Sequence, residues 1–178
     1  MGLDVKAVLF DRDGTLIKDV PYNGDPERVV PVPTAARALE MVRTRGIRTG
    51  VVTNQSGVAR KLITPAQVSQ VNDRVEQLLG SFDTWQVCPH GSDDGCPCRK
   101  PAPGMVFAAC AALGLTTDEV VLIGDIESDM TAARNAGARS VLVPTEVTRL
   151  DEIERATVTA SDLQAAVEWA LWSGSRHD

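Results

Sequence analysis

Short runs of apolar residues alternate along this chain with longer stretches in which apolar positions recur every three or four residues. The short runs are Ala7-Val8-Leu9-Phe10 and residues 47–53, 84–87, 119–124 and 140–143, all of strand length. The longer patterns predict helices over residues 34–45, 64–79, 103–113, 128–136 and 161–172. Thr34 and Ser161 stand where N-caps belong, and Thr64-Pro65 is a cap followed by proline at the first helical position. Gly46, Gly80, Gly114 and Gly137 each follow a helical pattern, as C-terminal glycines do. Residues 18–33, with four prolines, read as a structured loop, and residues 144–159 read as irregular.

Strands alternating with helices predict an α/β protein: a Rossmann-like, doubly wound parallel sheet covered on both faces. With 178 residues, the chain is long enough for one sizeable core and too short for two, so residues 1–178 read as a single domain. Ligands in such folds bind beyond the carboxyl ends of the strands. The residues at those positions are polar: Asp11 and Asp13, then Thr53-Asn54-Gln55-Ser56, then Asp125 and Asp129. In extended chain, residues i and i+2 point the same way, so Asp11 and Asp13 begin on a common side. Two like charges that close need a bound cation or a shared proton.

Together these residues fit phosphoryl transfer. Asp11 can serve as a carboxylate nucleophile. A carboxylate facing a phosphate dianion is repelled by it, so a hard cation should bridge them, and Mg²⁺ prefers oxygen ligands. Asp11, Asp125 and the backbone carbonyl of Asp13 would supply those ligands. The Asp13 side chain is then left to protonate the leaving oxygen and afterwards to activate water. Thr53 and the amides around Asn54 can hold phosphate oxygens, and Lys100 can neutralise charge developing in the transition state. Taken singly, each has a plainer reading: a polar turn at Thr53, a surface lysine at Lys100, a helix cap at Asp125, a favourable helix-dipole contact at Asp129.

Composition narrows the picture. The net charge is −6, from 18 basic and 24 acidic residues, which disfavours a nucleic-acid partner. No apolar stretch approaches the ~20 residues of a membrane span. The first residues have no basic stretch followed by a long apolar one, so a cytoplasmic location without a signal peptide is expected. Three of the four cysteines fall within residues 88–98 beside a histidine, crowding that favours metal over disulfides. Cys88, His90, Cys96 and Cys98 make a Cys₃His set suited to closed, structural Zn²⁺, with free thiols or a chance disulfide as the alternative. The loop runs straight into Arg99-Lys100-Pro101, so closing it would fix Arg99 and Lys100. Cys110 reads as a small core residue.

Asp-x-Asp-Gly-Thr at 11–15, Thr53 at a strand end, Lys100, and Gly124-Asp125 with Asp129 resemble, in order, the motifs of the haloacid dehalogenase (HAD) superfamily of aspartate-nucleophile phosphatases. The resemblance spans residues 7–143 and implies the HAD fold, with Asp129 supporting the lysine and the metal site. The second aspartate, Asp13, speaks for phosphatase over dehalogenase, since dehalogenation has no leaving group to protonate. The Cys-x-His…Cys-x-Cys-Arg-Lys-Pro pattern is similar to the branch containing the heptose bisphosphate phosphatases and the histidinol-phosphate phosphatases. Thr53 through Arg60 and Pro101 through Met105 look like the heptose members, whereas the short loop between His90 and Cys96 is closer to the histidinol ones. Neither residues 15–33 nor residues 56–87 have room for an inserted cap, so a capless, open site is expected. Arg99 and Arg60 could then read a second, distal phosphate by bidentate contacts. The resemblance implies a monomer acting on a small phosphorylated metabolite, a sugar bisphosphate before histidinol phosphate. A zinc-stabilised binding module without catalysis is a third reading, disfavoured by the intact Asp11, Asp13, Lys100 and Asp125.

Overall fold

The computed structural model describes residues 4–172; residues 1–3 and 173–178, part of the expected single domain and of the N-terminal reading, lie outside it. Five strands, β1 (Ala7–Phe10), β2 (Arg48–Asn54), β3 (Thr84–Cys88), β4 (Val120–Gly124) and β5 (Arg139–Leu142), form one sheet in the order β3-β2-β1-β4-β5. Every pairing is parallel. The helices are α1 (Ala35–Arg43), α2 (Pro65–Leu79), α3 (Gly104–Leu113), α4 (Glu127–Ala136), α5 (Leu150–Arg155) and α6 (Leu163–Trp172). β1 is flanked by β2 and β4, and the chain crosses from β3 over to β4 through α3. The strand order therefore reverses beside β1, which is where such sheets open a ligand crevice.

Residue alternation along β1 divides the core into two layers. Val8 and Phe10 face one side, packing with Val51, Val121 and Ile123 against Leu39 and Val42 of α1, Val71 and Val75 of α2, and Val167 of α6. Ala7 and Leu9 face the other, with Val52 and Leu122 against Val106 and Ala109 of α3 and Ala132 and Ala133 of α4. Cys110 belongs to this second layer, as expected of a small core residue. Register sets the strand ends in step: Phe10 lies opposite both Val51 and Ile123, so Asp11 follows level with Gly124. Among the described residues, a 3₁₀ turn is the only helical element between residue 15 and α1, and α2 is the only one between β2 and β3, so no cap interrupts the fold. No described helix is long and apolar enough to cross a membrane.

Several boundaries differ from expectation. Thr34 precedes α1 but makes no side-chain cap, and α6 is capped by Asp162, which accepts from the Ala165 N–H at 2.9 Å, instead of by Ser161. Thr64 closes a full capping box with Gln67. Residues 144–159 are not wholly irregular: they contain α5, which buries no residue and so leaves no apolar periodicity to read. Charge pairs hold it instead, Arg155 reaching Asp151 at 2.7 Å and Glu127 at 2.8 Å.

Candidate active site

β1 ends in Phe10 and delivers Asp11 to the sheet's C-terminal edge, where its backbone N–H donates to the Ile123 carbonyl at 2.9 Å. Gly14, at φ +84°, turns the chain away, and a Cβ built on it would overlap the Asp125 carboxylate. Glycine there is what lets Asp125, arriving from β4, come alongside the first motif. One ligand oxygen each from Asp11, Asp125 and Asp129 lies within 4.8 Å of the others, and all three residues are buried. Gly124 serves Asp129 similarly, since a Cβ on it would overlap the Asp129 side chain.

Lys100 reaches into the cluster. Its Nζ lies 2.7 Å from Asp11 Oδ1 and 2.6 Å from Asp129 Oδ1, and it donates to the Val52 carbonyl at 2.8 Å. Two hydrogen bonds, to Asp11 and Val52, and an ion pair with Asp129 hold the ammonium. Asp129 Oδ2 accepts the backbone N–H groups of Asp125 at 3.2 Å and Ile126 at 3.3 Å. Asp129 thus ties the lysine to the start of α4, and both its oxygens are engaged.

The electrostatics follow from three carboxylates around one ammonium. Burial pushes Asp125 up to about 9, reinforced by Asp11 and Asp129. Burial likewise raises Asp11 to about 7; Lys100 pulls against this, while Asp129 and Asp13 add to it. Burial works against the charge on Lys100, yet Asp11 and Asp129 outweigh it and hold the lysine protonated. The deficit is of positive charge, and an all-oxygen donor set suits a hard divalent cation.

Asp13 sits beside this cluster, gripped from two sides. Arg12 approaches it through Nε and Nη2 at 3.0–3.2 Å, and Gln55 Nε2 donates to its Oδ2 at 2.8 Å. The same Gln55 nitrogen donates to Thr53 Oγ1 at 2.8 Å, which leaves the Thr53 proton to be given elsewhere. The Asn54 side chain has a further task beside the one expected of its backbone amide: it donates to the Lys100 carbonyl and accepts the Lys100 N–H, both at 3.1 Å, pinning the lysine's backbone to the end of β2.

Two connected hollows stand over these groups. A pit of about 200 Å³ is lined by Asp11, Asp13, Asp19, Lys100, Asp125 and Val147, among others. It shares Asn54, Lys100, Ile126 and Ser128 with a groove of about 640 Å³ that runs along Ser92, Cys96 and Arg99. Arg99 lies at this groove, its guanidinium donating to the His90 carbonyl at 3.3 Å. Arg60 is not brought there: it is exposed, with its guanidinium 5.7 Å from the Tyr22 ring centre, because residues 56–60 turn away after β2.

Cys88, His90, Cys96 and Cys98 do converge. The three sulfurs lie 3.2–3.7 Å from one another and His90 Nδ1 lies 3.5 Å from Cys88 Sγ and 3.2 Å from Cys98 Sγ, close to the edges of about 3.6–3.8 Å expected of a tetrahedron around zinc. The Arg99 N–H donates to Cys96 Sγ at 3.4 Å, joining the loop to the segment that carries Lys100.

Sequence reasoning gave no role to four residues of the site. Arg12 and Gln55 hold Asp13, Asp19 lines the pit, and Thr148 donates its hydroxyl to the Asp125 carbonyl at 2.7 Å. Burial and the Asp13 charge raise the Asp19 carboxyl. Only Gln55 left a signal, standing two residues after Thr53 and so on its side of an extended chain.

A parallel sheet whose central strand ends in paired aspartates, with a buried lysine and a further acidic strand end, defines a HAD-type hydrolase, and the chain belongs to the HAD phosphatase family. A family profile described as HAD-hydrolase-like matches residues 97–166. The chain is 34% identical over 169 residues to the D-glycero-beta-D-manno-heptose-1,7-bisphosphate 7-phosphatase of Pseudomonas putida, covering 90% of this chain and 97% of that one. It is 34% identical to the D-glycero-D-manno-heptose-1,7-bisphosphate 7-phosphatase of Chlorobaculum tepidum, over 79% of each chain. In structure it resembles the D,D-heptose 1,7-bisphosphate phosphatase of Bordetella bronchiseptica, crystallised with magnesium and phosphate, at a TM-score of 0.83 and 29% identity over 94% of this chain and 98% of that one.

Proposed function

We propose that the chain is a Mg²⁺-dependent phosphatase that removes the 7-phosphate of D-glycero-D-manno-heptose 1,7-bisphosphate through an aspartyl-phosphate. The observation that carries this reading is the pairing of a small acidic pit with a larger groove reaching Arg99. One phosphate would react in the pit while the second is held at the groove, an arrangement suited to a bisphosphate. Relatives named for that substrate, aligned along most of the chain, point the same way.

Asp11, Asp125 and the Asp13 carbonyl would hold the magnesium, whose charge would offset the repulsion between carboxylate and phosphate dianion. The remaining work falls to the chain itself. An Asp11 oxygen attacks phosphorus as the bond to the sugar oxygen breaks, and Asp13 gives that oxygen its proton. Water then attacks the phosphorus of the aspartyl-phosphate, its proton passes to Asp13, and phosphate leaves Asp11 as a free carboxylate. Both carboxyl groups end as they began. Lys100 offsets charge on the transferring group, and Thr53 with the backbone amide of Asn54 orients its oxygens. The four-residue Cys/His set would hold Zn²⁺ with no open position, a structural role that fixes the Arg99–Lys100 segment.

The test is phosphate release from a panel containing the heptose bisphosphate, its monophosphates and histidinol phosphate, with and without Mg²⁺. Strong preference for the bisphosphate, with magnesium required, is expected. Faster turnover of histidinol phosphate would overturn the substrate assignment.

A further inference from the structure

We propose that Arg12, anchored by Asn72 of α2, is a positioning residue that aims the Asp13 carboxyl group at the leaving oxygen. This inference rests on the role given above to Asp13. Arg12 is 1% exposed, the largest fully buried side chain among the described residues. A guanidinium in such a place must be paired, and a buried ion pair contributes little net stability compared with apolar packing. Its value therefore lies in what it holds. Nε and Nη2 contact both oxygens of Asp13 at 3.0–3.2 Å, while Nη1 donates to Asn72 Oδ1 at 2.7 Å. The planar fork fixes the orientation of a carboxylate, which a point charge such as lysine cannot do.

Asn72 matters because an arginine fork is only as fixed as its far end. Its own stem has several rotatable bonds, and the Asn72 contact comes from a residue 60 positions away, on a helix packed through Val71 and Val75 into the core. Gln55 restrains Asp13 from the opposite side at 2.8 Å. The carboxyl group is thus aimed by the body of the fold, though the turn that bears it only lines the pit. Helix α2, which touches no reacting group, acquires a place in the chemistry.

The distinguishing property is the leaving group. A good leaving group, such as 2,4-dinitrophenolate, departs without a proton, whereas a sugar alkoxide or phenolate gains from one. Single-turnover phosphoryl transfer should be measured with 2,4-dinitrophenyl, 4-nitrophenyl, phenyl and an alkyl phosphate. The proteins compared are wild type, Asn72→Leu, Arg12→Lys, Asp13→Asn and Asn72→Asp. Asn72 is only half-buried, so Asn72→Leu is the variant of choice if Arg12→Lys folds poorly. Asn72→Leu should lose about tenfold or more with phenyl and alkyl phosphate, and less than about threefold with the dinitrophenyl ester. Asn72→Asp, which keeps an oxygen facing Nη1, should restore the alkyl rate. Equal losses across the series, or none, in Asn72→Leu and Arg12→Lys while Asp13→Asn is leaving-group dependent would overturn the proposal alone. A uniform loss in Asp13→Asn would remove the proton-donor role of Asp13, and this inference with it.

Discussion

At the scale of single residues, the site depends on side chains that are absent as much as on those present. Gly14 and Gly124 leave room for Asp125 and Asp129, and any Cβ at either place would displace a carboxylate of the cluster. Gly14→Ala should therefore lower turnover by about 100-fold, the scale on which an ångström of misplacement acts. It should also destabilise the fold by about 1–2 kcal/mol, because φ +84° is costly for any residue with a Cβ. Wild-type kinetics in that variant would mean that Asp125 does not need its observed position. Asp11→Asn keeps shape and volume, so it should abolish turnover while leaving the melting temperature unchanged or higher, since a buried carboxylate among like charges is removed. Asp11, Asp13 and Asp125 were legible because strand ends of this fold converge by topology, and Lys100, which follows the Cys/His loop, was legible from the order of the motifs. Arg12 and Thr148 were not, for their partners are brought near only by folding.

At the scale of elements, the proposed zinc loop would couple stability to chemistry. Its four ligand atoms close on one point, and the next backbone N–H, that of Arg99, bonds to Cys96. Cys98→Ser should therefore release zinc, lower the melting temperature and reduce kcat, as Lys100 loses its fixed approach. Each kcal/mol lost lowers the melting temperature by about 2–4 °C in a chain of this length. Full zinc occupancy in that variant, read by metal analysis, would refute the ligand set. The strands and long helices were readable because each buries a face, and burial imposes periodicity. Boundaries shifted by a residue or two where pairing overrode local pattern: β2 runs on to Asn54 because Cys88 of β3 lies opposite it. Helix α5 escaped notice for the converse reason, having charges but no buried face.

At the scale of the whole molecule, the acidic cluster links metal, proton and fold. Asp11 is raised to about 7 and Asp125 to about 9, both above an ordinary carboxyl. Between about pH 4 and 9 the folded, magnesium-free chain therefore holds more protons than the unfolded chain, and these two groups lower its stability as pH rises. Magnesium competes with those protons, so its stabilising effect should grow over the same range. The rise in melting temperature on adding Mg²⁺ should be clearly larger at about pH 8.5 than at about pH 6. A shift that is constant or shrinks with pH would contradict the assignment of these carboxylates as its ligands.

The sequence by itself determined the parallel α/β scaffold, the order of the motifs and the Cys/His set, because hydrophobic period and ligand spacing are local properties. Tertiary structure alone decided that Arg60 stacks on Tyr22 away from the pit, that Asn54 serves Lys100's backbone, and that Asn72, on a helix 60 residues on, holds the buried arginine beside Asp13. These are contacts between segments distant along the chain, and their geometry is set by how layers pack, which no local pattern of residues encodes.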